Sequence, residues 1–165
     1  MCHPPRRHFL GRLAAGGFLL TPLAAALSTT LAACNKSNLP EGMVEIKWDR
    51  DTCTRCSMVI SDRRFAAELR GGPKEQAFKF DDIGCMLFWL RDKATEFPWL
   101  ADAATRFWVA DLGSKAEAMK WLDPRQAHYV TKSSPMGYNF GAAAYPQMGS
   151  LDFTSMREHV LGKGK

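Results

Sequence analysis

Hydrophobic and polar positions change period several times along this chain, and each change marks an element. Apolar and polar residues alternate over residues 43–48, which predicts a strand. Residues 57–60 are β-prone and form a short second candidate. Phe65, Ala67 and Leu69 alternate with Ala66, Glu68 and Arg70, the signature of a half-buried strand. Gly71-Gly72-Pro73 supplies a turn, and residues 77–80 return as the second arm of a hairpin. Asp81 or Asp82 then caps a helix running to about Thr95, with Ile83, Met86, Leu87 and Leu90 at helical spacing. Residues 107–112 (Phe-Trp-Val-Ala-Asp-Leu) form the next strand. This half reads β-β-α-β.

The second half carries weaker signals. Residues 121–122 and 128–131 are strand candidates, and residues 133–145, rich in Gly and Ala, read as a loop. Asp152 caps a last helix with Phe153, Met156 and Val160 on its core side. A second β-β-α pattern results, but Gly162-Lys163-Gly164-Lys165 leaves little room for a closing strand. The class is α+β.

Residues 1–33 are set apart from the fold. They hold Arg6, Arg7 and Arg12, no acid, and an apolar Ala/Leu-rich run that ends in Leu31-Ala32-Ala33-Cys34. That order resembles a lipoprotein signal, with Cys34 as the lipidated first residue of the mature chain. An ordinary signal peptide or an uncleaved anchor helix with an incidental Cys is the plainer alternative. Arg6-Arg7-His8-Phe9-Leu10 also resembles a twin-arginine export signal, and a paired Arg in a Sec-type flank reads equally well. Two acyl chains on Cys34 meet the requirement for stable anchoring. Asn35 follows, not Asp, which favours the outer membrane as the destination. Residues 34–42 then form the lipidated Cys and a short tether, and residues 43–165 the domain.

Charge changes meaning once the signal is set aside. The whole chain of 165 residues holds 22 Lys and Arg against 17 Asp and Glu, a net +5. Without residues 1–33 the balance is 19 against 17, or +2. Most of the basic excess belongs to the signal, so no nucleic-acid partner is implied. About 130 residues at ordinary apolar content make one domain.

The chemistry gathers at Cys53-Thr54-Arg55-Cys56-Ser57-Met58. Two thiols and a thioether within six residues are soft donors, which select ions such as Cu(I). In an extended chain Cys56 and Met58 project from one face, so both sulfurs reach one small ion. Cys53 is either a further ligand or the partner of Cys56 in a reversible disulfide. Met136, between Pro135 and Gly137, sits on an expected loop and is a third sulfur candidate. Cys85 and Met86 fall among the apolar positions of the predicted helix and read as core. With Cys34 lipidated, three thiols remain, an odd number for an oxidising compartment. Only His128 and His159 follow the signal. That is too little imidazole for a Cu(II) site and a poor set for zinc. Asp81-Asp82 reads as helix capping, since adjacent helical residues do not share a face.

In order along the chain, Cys34, Cys53-x-x-Cys56-x-Met58, Arg64-Phe65-Ala66-Ala67, Phe80-Asp81-Asp82, Trp108-Val109-Ala110-Asp111, Trp121-Leu122-Asp123, Ala127-His128-Tyr129-Val130 and Pro135-Met136-Gly137 resemble the NosL-type nitrous oxide reductase accessory lipoproteins. The resemblance spans most of residues 43–145. It implies two packed ββαβ units, the second one incomplete here. It implies a periplasmic, membrane-anchored Cu(I) chaperone rather than an enzyme. Such a chaperone supplies copper for the copper–sulfide centre of nitrous oxide reductase, working with an ABC-type maturation complex and apo-nitrous oxide reductase. The metal ligands it implies are Cys56, Met58 and Met136. Cys53 is an addition to that pattern. Two rivals remain: a thiol–disulfide oxidoreductase using Cys53 and Cys56, and a structural adaptor lipoprotein whose cysteines only bridge.

Overall fold

The hairpin foreseen around Gly71-Gly72-Pro73 is the start of a four-stranded antiparallel sheet. In this computed structural model, which describes residues 39–164, β1 (Ala67–Gly71) pairs with β2 (Gln76–Phe80) and with β3 (Arg106–Ala110). The short β4 (Trp121–Leu122) adds to the far edge of β3, so the spatial order is β2-β1-β3-β4. Between β2 and β3 runs α1 (Ile83–Lys93), capped by the Asp82 side chain. The first half is therefore the β-β-α-β unit that its periodicity predicts. The signal, Cys34 and the first residues of the tether lie outside the described residues.

The second half is a smaller β-β-α unit. β5 (His128–Thr131) pairs antiparallel with β6 (Phe140–Ala143), and α2 (Phe153–Gly162) follows, capped by Asp152. Two single-residue bridges stand where a fuller sheet would have strands. Leu151 exchanges both backbone hydrogen bonds with Tyr129 at 2.8 Å, and Leu112 N–H donates to the Ala142 carbonyl at 2.8 Å. No closing strand follows α2 among the described residues. α1 packs on α2 and on β1, β2 and β6, so the shared core lies between the two units. Met156 and Val160 are buried as expected, while Phe153 stays partly exposed.

Three expectations fail, each for a packing reason. Residues 43–48 are not a strand. They lie across the sheet face that carries Glu68, Lys79 and Trp108, and they bond to it through side chains. Val44 N–H donates to Glu68 Oε1 at 2.7 Å, and Lys79 Nζ donates to the Glu45 carbonyl. Trp48 stacks on Trp121 with ring centroids 6.5 Å apart. This cover also explains why β1 is buried on both faces: Ala67, Glu68 and Leu69 are all inaccessible. Residues 57–60 contribute only the single bridge from Thr52 to Val59. Residues 133–145 contain β6 where a loop was expected. Its glycine is a packing requirement, since a Cβ on Gly141 would sit 2.3 Å from Leu112 Cδ1. Composition that reads as loop is here a strand pressed against its neighbour.

Candidate metal centre

The segment 53–58 folds as a tight loop and not as extended chain. Ser57 N–H donates to the Cys53 carbonyl at 2.9 Å, Cys53 N–H donates to the Met58 carbonyl at 2.8 Å, and Ser57 takes a left-handed φ of 62°. The same-face geometry expected for Cys56 and Met58 is thereby replaced by a turn. The loop is fastened to the edge of the sheet: Thr54 N–H donates to the Lys79 carbonyl at 2.8 Å, and Lys79 N–H donates to Thr54 Oγ1 at 3.2 Å. Arg55 reaches across to the second unit. Its guanidinium donates to Tyr138 Oη at 2.9 Å and lies 4.8 Å from the centre of the Phe88 ring.

α1 brings the remaining donors. Asp82 Oδ1 accepts from Gly84 N–H at 2.9 Å, which caps the helix. Its Oδ2 accepts from Ser134 Oγ–H at 2.5 Å and from Met136 N–H at 3.4 Å. One carboxylate therefore both starts α1 and pins the 134–136 loop beside it. Gly84 permits this closeness, since a Cβ there would lie 2.1 Å from Tyr138 Cγ. Asp81 and Cys85, on either side of the cap, then face the Cys53 loop.

The outcome is one dense group. The thiols of Cys53, Cys56 and Cys85 and a carboxylate oxygen of Asp81 all lie within 4.8 Å of one another. Cys85 Sγ is 4.0 Å from Cys56 Sγ, and Cys56 Sγ is 3.7 Å from Asp81 Oδ1. Cys53 is 1% exposed, Cys85 0% and Asp81 3%, while Cys56 is only partly buried. All three cysteines are free thiols in this structure, with Cys53 and Cys56 unbridged. Neither His128 nor His159 belongs to this group.

The thiols differ in acidity for identifiable reasons. Hydrogen bonding from Cys85 holds the Cys53 thiol down to about 6, against the opposing effect of burial. That same bond, with burial, drives the Cys85 thiol strongly upward. Burial pushes Cys56 up to about 11. Burial likewise raises the Asp82 carboxyl to about 6, opposed by the hydrogen bond from Ser134. Cys53 is thus the sulfur readiest to carry negative charge, with Cys85 as its donor.

The four residues singled out by sequence are placed unevenly. Cys53 and Cys56 meet in the cluster. Met136 is on the loop held by Asp82, packed at the margin of the core. Met58 follows the turn and is 57% exposed. Sequence reasoning gave Cys85 to the core, where it is buried, and Asp81 or Asp82 to capping; Cys85 and Asp81 also join the cluster. Capping belongs to Asp82 alone. Cys85 did carry a signal: it is the third residue of a helix with an Asp cap, in the turn that follows the hairpin beside the Cys53 loop.

The family model of NosL matches residues 44–146. No curated protein sequence matches the chain. Among solved structures, the crystal structure of the copper chaperone NosL from Shewanella denitrificans has a similar fold. Its TM-score is 0.51 at 16% sequence identity, covering 74% of this chain and 89% of that one.

Proposed function

This chain belongs to the NosL family, and on that footing we propose that it is a Cu(I) carrier and not an enzyme. The observation that carries the reading is the gathering of three free thiols and one carboxylate within 4.8 Å. Soft sulfur without imidazole suits a monovalent ion of low coordination number, whereas Cu(II) prefers nitrogen and oxygen in a tetragonal set. Cys56 is the sulfur with a path to solvent. Met58 is exposed beside it in sequence, and Met136 is on a loop fastened next to Asp81. In this reading Cys56, Met58 and Met136 hold the ion, and Cys53 and Cys85 form the buried floor of the site.

An exposed thioether gives a carrier a practical device. It is a neutral, flexible ligand that a partner's sulfur can displace while Cys56 still holds the ion. Transfer then proceeds by exchange of one ligand at a time, without release of the ion to water. The oxidoreductase alternative requires Cys-x-x-Cys at a helix N-terminus, where the helix dipole lowers the thiol pKa. Here Cys53 and Cys56 lie on a turn. The adaptor alternative requires bridged cysteines, and these three are free.

The reading extends to place and partners by family. The chain is lipid-anchored through Cys34 on the periplasmic side, at the outer membrane, and serves nitrous oxide reductase through an ABC-type maturation complex. Among the described residues no helix is long and apolar enough to cross a membrane. The test is anaerobic Cu(I) titration against a competing chelator, with X-ray absorption to identify the ligands. The wild-type chain binds one ion through sulfur. Replacing Cys56→Ser and Met58→Leu together abolishes stoichiometric binding, and unchanged affinity in that variant refutes the assignment.

A further inference from the structure

The cluster holds more thiol than a carrier with two thioethers needs. Cys53 and Cys85 are both inaccessible, and their sulfurs lie within 4.8 Å of each other. They come from separately anchored elements. The Cys53 loop is sewn to β2 through Thr54 and Lys79, and Cys85 is fixed in the first turn of α1 by the Asp82 cap. Cys56 differs from both in being partly open to solvent.

We propose that Cys53 and Cys85 form an internal dithiol that reduces Cu(II) to Cu(I) at this site, while Cys56 retains the reduced ion. The inference rests on the copper reading of the same site. It adds an activity: the chain takes copper in the oxidised state and holds it in the state its sulfur donors prefer.

The step balances as follows. Two Cu(II) ions each accept one electron and become Cu(I). The Cys53 and Cys85 thiols lose one electron and one proton each, and their sulfurs join in one S–S bond. The two protons leave through Asp81, whose carboxylate oxygen is within 4.8 Å of every sulfur in the cluster, and from there to water. One Cu(I) stays on Cys56 and the other passes to an acceptor. Bond formation brings two sulfurs already within 4.8 Å to about 2.05 Å.

Burial decides which sulfurs bond. A sulfur that has given up one electron reacts with the nearest thiol. For Cys53 or Cys85 that neighbour is inside the same chain; Cys85 also has Cys56 Sγ at 4.0 Å, and an ion held on Cys56 leaves Cys53 as its uncommitted neighbour. Cys56, open to solvent, is the thiol free to keep a ligand role once the other two are joined. The same division accounts for the odd number of thiols: two supply electrons and one remains for the metal.

The experiment uses the full chain with Cys2→Ser and Cys34→Ser, so that only these three cysteines remain. Under anaerobic conditions it receives two equivalents of Cu(II) with a chromogenic Cu(I) chelator. The expected result is two Cu(I) formed per chain, two thiols lost, a mass decrease of about 2 Da and a Cys53–Cys85 bridge in the peptide map. Adding Cys85→Ser or Cys53→Ser cuts the fast yield of Cu(I) at least tenfold and diverts any bridge formed to other pairings. A separate arm supplies Cu(I) directly to the reduced chain. Retention of Cu(I) with no reduction of Cu(II), or with a bridge through Cys56 or between chains, overturns the dithiol assignment alone. Loss of Cu(I) retention overturns the carrier reading beneath it.

Discussion

Glu68 is the sharpest physical anomaly outside the metal centre, and it makes a quantitative prediction. It is the second residue of β1, 0% exposed, between Lys79 on β2 and Trp108 on β3. Oε1 accepts from Val44 N–H, but Oε2 is buried with no hydrogen-bond partner. Burial is the dominant cause that raises its carboxyl to about 7 from 4.5, opposed by the Val44 hydrogen bond and by Lys79 and Arg70. The folded state therefore binds a proton that the unfolded chain releases near 4.5. Stability from this group is complete below the unfolded value and falls as pH rises through the interval up to about 7, where the folded form also ionises. At about 1.4 kcal/mol per unit, the loss between roughly pH 5 and pH 8 is about 2.5 kcal/mol.

Glu68→Gln keeps an acceptor for Val44 and removes the titration. The variant is expected to match the wild type near pH 5 and to exceed it by about 2 kcal/mol near pH 8. Urea unfolding of both proteins across that range measures the difference. Comparing the two at each pH cancels the titration of Asp82 and the cysteines, which they share. A stability advantage of the variant that does not change with pH, or one that is larger at acid than at alkaline pH, refutes the argument that Glu68 is folded in its neutral form.

Three further outcomes follow from the site's scaffold. Gly84→Ala ought to stabilise an exposed helix by about 1 kcal/mol. Here its Cβ meets the Tyr138 ring at 2.1 Å, so a net loss of about 1–3 kcal/mol in thermal or urea unfolding is expected, and a gain would show that the ring yields freely. Asp82→Ala removes the α1 cap and both tethers to the 134–136 loop. Its expected cost is about 2 kcal/mol or more, with faster amide exchange at residues 134–136, and unchanged exchange there refutes the pinning role. Tyr138→Phe removes the hydroxyl that Arg55 donates to. It should cost about 1–2 kcal/mol and increase the susceptibility of the 53–58 loop to proteolysis, whereas an unchanged cleavage rate denies that the second unit holds that loop.

Much of the first unit was legible because its signals are local. Period-two alternation, a Gly-Gly-Pro turn, a capping Asp and helical spacing from Ile83 to Leu90 each report on neighbours in sequence, and they place β1, β2, α1 and β3. Segment 43–48 misleads because alternation records that one face is apolar, not what the backbone bonds to. Here its backbone meets Glu68 and Lys79 side chains in place of a strand. β6 misleads in the opposite sense. Gly141 lacks a side chain where Leu112 presses on the strand, and smallness alone reads as loop.

The sulfur chemistry divides along the same line. Residue types and spacing by themselves established a soft-donor segment at Cys53, Cys56 and Met58, the family resemblance and the scarcity of imidazole. Those are properties of composition and local order, which survive without a fold. Only the tertiary structure decided that Cys85 and Asp81 join Cys53 and Cys56, that Ser57 turns the chain between Cys56 and Met58, and that one carboxylate at the head of α1 holds Met136 nearby. The reason is geometric: Cys56 and Cys85 are 29 positions apart, and what sets the distance between their sulfurs is the fastening of the 53–58 loop to β2 through Thr54 and Lys79 and the start of α1 just after β2, which no local pattern encodes.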